Sequence, residues 1–243
     1  MQKEPEYGIL DTQDHRRRAG LHLGIAIASI VLWQTQIGSL VLYPFTILAT
    51  WFHEMGHGLF AMLTGSRFDR LVIFPNGSGY ALIMRPGSGF RLTDALIAAS
   101  GLMGPAIAGS MLIIASRTPK STKPALMVLG AALILSTVIW VRSLTGLLIL
   151  PALGFAILTL ARRGTPSHQR LGIQFLGVQA CIGVWRQFGY LFSSGGTVGG
   201  HVQRSDTGAI EDALLLPYWF WGAAISAAIV ALLWWSFRTA FRR

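Results

Sequence analysis

The stretch WFHEMGHGLFAML, residues 51–63, sets two histidines and a glutamate among Trp, Phe, Leu and Met. Its reading depends on the chain around it. Of 243 residues, 52% are hydrophobic and only 12% are charged, with a mean hydropathy of +0.53. A soluble domain carries about twice that share of charge. Apolar runs of roughly 17–25 residues, long enough to cross a bilayer, recur along most of the chain. The expectation is an all-α, multi-pass integral membrane protein.

The apolar runs cover residues 21–43, 44–64, 93–116, 124–141, 143–161, 171–192 and 213–237. That gives six to seven transmembrane helices. Pro44 is read as the boundary between the first two, because proline suits the first turn of a helix. Gly65 is placed as a helix C-cap. The run 171–192 is less apolar and holds Gln174, Gln179, Arg186 and Gln187. It must face protein or water along one side. Residues 1–20 are polar and lack the apolar core of a signal peptide, so they read as a soluble tail. Residues 21–237 form one membrane-embedded domain, and 238–243 a basic C-terminal tail.

Between the second and third runs the sequence changes character. DRLVIF, PNGSG, YALIM and RPGSG follow one another over residues 69–89. Two β-rich runs joined by Asn76-Gly77 predict a hairpin. An open sheet edge cannot face lipid. The hairpin therefore belongs at the interface or inside the protein, and it offers an edge onto which an extended peptide can add. In ASGLMGPAIAGS, residues 99–110, the small residues suit close helix packing and Pro105 a kink.

The net charge of +10 is not a nucleic-acid signature. The cations cluster in short connections between apolar runs, as loops beside anionic headgroups do. Lys and Arg counted on alternate sides of seven spans nearly tie, so the orientation stays open. The single cysteine, Cys181, excludes an intrachain disulfide and a thiolate cluster.

HEMGH is an instance of H-E-x-x-H. Positions i and i+4 share a helix face, so His53 and His57 can aim two imidazole nitrogens at one ion. Two histidines, a third ligand and an open position make a catalytic zinc site. Glu54 sits off the metal axis as a general base for water whose pKa zinc brings to about 7. Glu54 is also the only acid away from the ends of an apolar run, where an unmatched carboxylate costs at least roughly 2.5–3.5 kcal/mol. The plain alternative is a buried polar cluster joining helices.

The third ligand has three candidates. Asp206 in QRSDT precedes the last run and also reads as a helix N-cap. His201 lies five residues earlier in the Gly/Ser-rich loop SSGGTVGGHVQRSD. Asp94, after Thr93, looks more like helix-start chemistry. Gln174, Gln179 and Gln187 are candidates to bind water or client backbone, and Arg186 to stabilise an oxyanion or pair with Asp206.

HEMGHGLFAMLTG, FPNGSGY, GLMGP and RSDTGAIEDALLLP occur in that order from residue 53 to 217. Together they resemble the site-2-protease family of intramembrane zinc metallopeptidases, in a small peptidase-like branch. Better-studied members carry the third ligand in an Asp-Gly motif; here Thr207 follows Asp206. The resemblance implies a zinc endopeptidase cleaving a client protein in or next to a transmembrane segment. His53 and His57 would be zinc ligands and Glu54 the general base. The rival expectations are a membrane scaffold that keeps a zinc site without proteolysis, and a metal transporter. A transporter usually draws ligands from several helices.

Overall fold

The computed structural model describes residues 20, 24, 27–85, 91–186, 188–198 and 200–241. The tail expected over 1–20 lies outside these but for Gly20, as does Gln187; so do the side chains of Arg186 and His201. The chain is mostly helical. Helix α1 (Ile27–Trp33) meets α2 (Gln36–Leu63) at a 111° bend. Then come β1 (Arg67–Ile73), β2 (Gly79–Met84), α3 (Arg91–Ala115), α4 (Pro119–Ile139), α5 (Leu144–Arg163), α6 (Pro166–Arg186) and α7 (Phe188–Leu191). A second hairpin, β3 (Gly195–Val198) and β4 (His201–Arg204), leads to α8 (Asp206–Leu214) and α9 (Tyr218–Phe241).

Among the described residues α3, α4, α5 and α9 are long and apolar enough to cross a membrane, and the α1–α2 pair makes five if taken as one span. Their outward faces carry exposed Met111, Val128, Leu148 and Trp234. Such a surface suits lipid, not water. The expected six to seven spans are not reproduced, for two reasons. The break expected at Pro44 falls at Gln34–Thr35 instead: Thr35 caps α2 by accepting the Gly38 N–H at 2.9 Å, and Pro44 lies inside the helix. Helix α6 falls below the hydropathy of a span. It is buried among the other helices, with Ile173, Gln174, Leu176, Val178 and Gln179 all inside. A helix that touches protein on most sides has no need of an apolar exterior.

Small residues bring α2 and α3 together. A Cβ at Gly56 would meet the Ser100 carbonyl, and one at Gly104 the Phe52 carbonyl. The two backbones are thus closer than any side chain allows. Ser100 adds a hydrogen bond to the Gly56 carbonyl at 3.0 Å. Helix α2 ends as expected, with Gly65 at φ +81° just past the cap residue Thr64.

The first hairpin is antiparallel, pairing Arg67 with Met84 and Ile73 with Gly79, with a shift between Phe68 and Arg70. Gly77 supplies the positive φ its turn requires, at +86°. The hairpin folds back along α2, where Tyr43 donates to the Pro75 carbonyl at 2.7 Å and Thr50 to the Gly77 carbonyl at 2.5 Å. The outer edge of β1 is closed by the α4–α5 connection. Leu71 N–H donates to the Trp140 carbonyl at 2.8 Å, Arg142 N–H to the Leu71 carbonyl at 2.9 Å, and Ile73 N–H to the Ser143 hydroxyl at 2.9 Å. The hairpin packs against α2 and the α4–α5 connection with Phe68, Leu71 and Ile73 buried, while Arg67, Arg70, Leu82 and Met84 stay exposed.

Two apolar clusters hold the bundle. One joins Ile47, Leu48 and Trp51 of α2 to Leu71 and Ile73 of β1 and to Leu126, Leu133, Leu150 and Ile173. The other joins Leu102 and Ala106 of α3 to Ile210 of α8 and Ile225 and Ile229 of α9. The site lies between them.

Candidate metal centre

His53 and His57 project from one face of α2, as their spacing dictates. Their Nε2 atoms are 3.1 Å apart. Asp206, at the first turn of α8, closes the triangle. Its Oδ2 is 3.0 Å from His53 Nε2 and its Oδ1 is 3.3 Å from His57 Nε2. Both histidines and Glu54 are buried.

The two readings of Asp206 separate cleanly. Ser205, not Asp206, caps α8: its hydroxyl accepts the Gly208 N–H at 3.0 Å and donates to the Ser193 carbonyl. Thr207 reaches the same carbonyl at 3.2 Å. Ser205 and Thr207 are fully buried anchors. The carboxylate between them is free of capping and turns to the histidines. Burial opposes its ionisation, but positive charge on the His57 and His53 rings outweighs burial and holds the carboxyl well below the usual carboxylate range; with the rings neutral, a bound cation would supply that charge.

The donor set fits a metal ion. His57 Nδ1 lies 2.7 Å from the Ile97 carbonyl, which can only accept, so Nδ1 carries the proton. In a neutral ring, Nε2 then presents a lone pair. It faces a carboxylate and a second imidazole across about 3 Å, an arrangement of acceptors that a cation satisfies. Ligands on a tetrahedral zinc with bonds of 2.0–2.1 Å stand about 3.3 Å from one another. The two imidazole nitrogens, 3.1 Å apart, lie close to that, and with one atom from each residue all three ligand atoms lie within 4.8 Å of one another. Asp206 Oδ2 is a buried carboxylate oxygen without a hydrogen-bond donor, which a cation would satisfy.

A cavity of about 560 Å³ opens over the triangle, lined among others by Glu54, Gly79, Ala81 and Tyr190. Ala81 stands in the same cavity wall as Glu54. This geometry follows from the register. Leu71 and Ile73 spend their outward groups on the α4–α5 connection, so Leu71–Ala81 and Ile73–Gly79 are pairs without mutual hydrogen bonds. The backbone groups of Gly79 and Ala81 therefore point away from β1, to the cavity. The free edge of β2 borders the cleft.

Of the other sequence candidates, Asp94 pairs with Arg85 at the cleft mouth, not with the histidines. His201 lies in β4. Gln179 is tied to Ser29 at 2.8 Å, and Gln174 lines a different cavity. Neither glutamine reaches the cleft. Tyr190 is a site residue that sequence reasoning missed. Its ring centroid is 6.4 Å from that of His53, and it lines the cavity together with Asp206. The signal available was an aromatic with a polar tip at the end of the semi-polar run. Gly101 was read only as a packing residue. In the structure its bare Cα is where the His57 ring rests.

The fold and the convergence of HExxH with a distant carboxylate define a membrane protein of metallopeptidase type. The chain belongs to the Peptidase M50B-like family, whose model matches residues 22–236, and so to the site-2-protease family. No curated protein and no solved structure matches it.

Proposed function

We propose that the chain is a multi-pass zinc endopeptidase that hydrolyses peptide bonds in or next to transmembrane segments of client proteins. The observation that carries this is the triangle of His53 Nε2, His57 Nε2 and Asp206 carboxylate, with Glu54 on the adjoining residue. In this reading His53, His57 and Asp206 hold the zinc. Zinc in such a site polarises the scissile carbonyl and acidifies the attacking water. Glu54 takes that water's proton and returns it to the leaving amine. The Ala81 N–H, turned to the same cavity, is the backbone donor placed to orient the Glu54 carboxylate for both transfers.

Client entry uses the β2 edge. A peptide bond within a helix is already hydrogen-bonded, so the client unwinds before it is cut, and helix-weakening residues in it help. The unwound segment pairs with the outward backbone groups of Gly79 and Ala81, which sets its scissile bond over the zinc ligands. The Tyr190 hydroxyl, in the wall of the same cavity, donates a hydrogen bond to the oxygen that gains charge.

The test is Glu54→Gln beside Asp206→Ala, assayed for zinc per chain and for cleavage of a reconstituted client. Glu54→Gln should keep its zinc and lose roughly 10²–10⁴-fold in turnover. Asp206→Ala should lose both. A Glu54→Gln protein that retains full biological function would replace the protease by a scaffold.

A further inference from the structure

At the end of the bundle remote from the metal centre, a second cavity of about 410 Å³ lies between α4 and α6. We propose that it binds a phosphate group, carried by an anionic lipid headgroup or as the free ion. Three independent features converge on it.

The first is a pair of helix starts. Pro119 opens α4 and Pro166 opens α6, and both line the cavity. First-turn N–H groups have no carbonyl behind them, and the positive ends of two dipoles meet there. Thr118 takes up the Ser121 N–H of one helix, and Thr165 lies 3.4 Å from the His168 nitrogen of the other. The second-position N–H of each helix is left without a capping oxygen.

The second is a buried polar side chain aimed into the space. Gln174 is 1% exposed, lines the cavity, and its Oε1 has no hydrogen-bond partner. A half-turn about the last bond presents oxygen or NH₂ to the same point. The NH₂ end suits a phosphate oxygen. An apolar residue would fill this position at no cost in unmet hydrogen bonds, so the amide needs an occupant to answer it.

The third is charge. Arg170 and Ser167 stand in the cavity wall. The connections around it, residues 115–124 and 160–172, add Arg117, Lys120, Lys123, Arg162 and Arg163, and hold no Asp or Glu. Arginine, hydroxyl, amide and helix N–H groups together are the donors that recognise phosphate oxygens. Basic pockets between helices at a membrane boundary take lipid headgroups in this way.

The experiment is native mass spectrometry of the full chain in mild detergent. The probes are phosphatidylglycerol, phosphatidylcholine and inorganic phosphate, with thermal unfolding as a second readout. Wild type should retain phosphatidylglycerol over phosphatidylcholine, and Arg170→Gln should weaken that retention about fivefold or more. Gln174→Met should do the same; if it fails to fold, the half-buried Arg170 carries the test alone. Retained lipid that inorganic phosphate does not displace identifies a headgroup site. Displacement, with a phosphate-induced rise in Tm that Arg170→Gln lacks, identifies the free anion. Equal retention of both lipids with no effect of phosphate, or equal behaviour of wild type and Arg170→Gln, overturns the proposal. Lys120→Gln serves as the control for diffuse attraction to a basic face. If it weakens retention as much as Arg170→Gln does, there is no defined site and the proposal fails.

Discussion

His57 is fixed from two directions. The Ile97 carbonyl holds Nδ1 at 2.7 Å, and the ring lies against the bare Cα of Gly101 one turn further along α3. A methyl group at Gly101 would overlap the imidazole and push Nε2 off the triangle. Overpacking of this kind costs about 1–3 kcal/mol, and disturbed outer-shell support typically costs 10–100-fold in metal affinity. Gly101→Ala should therefore show a clear drop in zinc affinity by competition with a chromogenic chelator, in a protein that is still folded. Unchanged affinity would mean that α3 yields and that Gly101 serves packing alone. The sequence makes His53, Glu54 and His57 legible because their relation is local: helical spacing alone places them. Asp206 is separated from them by about 150 residues, and no periodicity links the two. It emerges only as one of three candidates, also readable as a cap. The structure separates these readings through its neighbour, since Ser205 supplies the cap.

At the scale of elements, the first hairpin carries the argument. Its β1 edge is consumed by residues 140–143, and its β2 edge is left to the cleft. Ala81 turns its N–H to the cavity that Glu54 lines and not to the ladder, so Ala81→Pro removes a donor beside Glu54 without removing a strand-pairing bond. The expected result is a protein with normal zinc content whose turnover falls at least tenfold, within the range of a mispositioned general base. Normal turnover would show that Glu54 needs no backbone support. This hairpin was legible from β-rich runs flanking Asn76-Gly77. The second, β3–β4, was not, because GGTV and HVQR lack the alternation that marks a strand and read as loop. Pro44 misled for a related reason. Proline marks a helix start in water, but α2 carries it nine residues past the true cap at Thr35. Inside a bundle, neighbouring helices and hydroxyls absorb the lost hydrogen bond. The semi-polar run was rightly read as facing something other than lipid. What it faces is protein, so Gln179 joins helices and does not line the cleft.

Over the whole molecule, charge divides into two poles. Of the six acidic residues among those described, Glu54, Asp94, Asp206 and Asp212 line the cleft, while Glu211 lies on α8 beside Asp212 and Asp69 on β1, the strand paired with β2. The opposite pole, formed by the α3–α4 and α5–α6 connections, is basic without exception. Helix α3 runs between them. Ile97 contacts His57 at one end, and the Ala115 carbonyl accepts from Ser121 and Thr122 at the other, about 27 Å away at 1.5 Å per residue. That distance is close to the hydrocarbon thickness of a bilayer, roughly 30 Å. Cations alone nearly tie between the poles, which is why counting Lys and Arg along the sequence leaves the orientation open. The acids break the symmetry, but they lie far apart in sequence and gather only on folding. The poles should therefore face opposite sides of the membrane. In a Cys181→Ser background, Lys120→Cys and Asp212→Cys each place one thiol at one pole. A membrane-impermeant maleimide applied to sealed vesicles should label one of them at once and the other only after permeabilisation. Whichever labels first fixes the face on which the cleft opens and thus the side from which a client enters. Labelling of both from the same side would show that α3 does not cross, and would place the metal centre in a re-entrant segment.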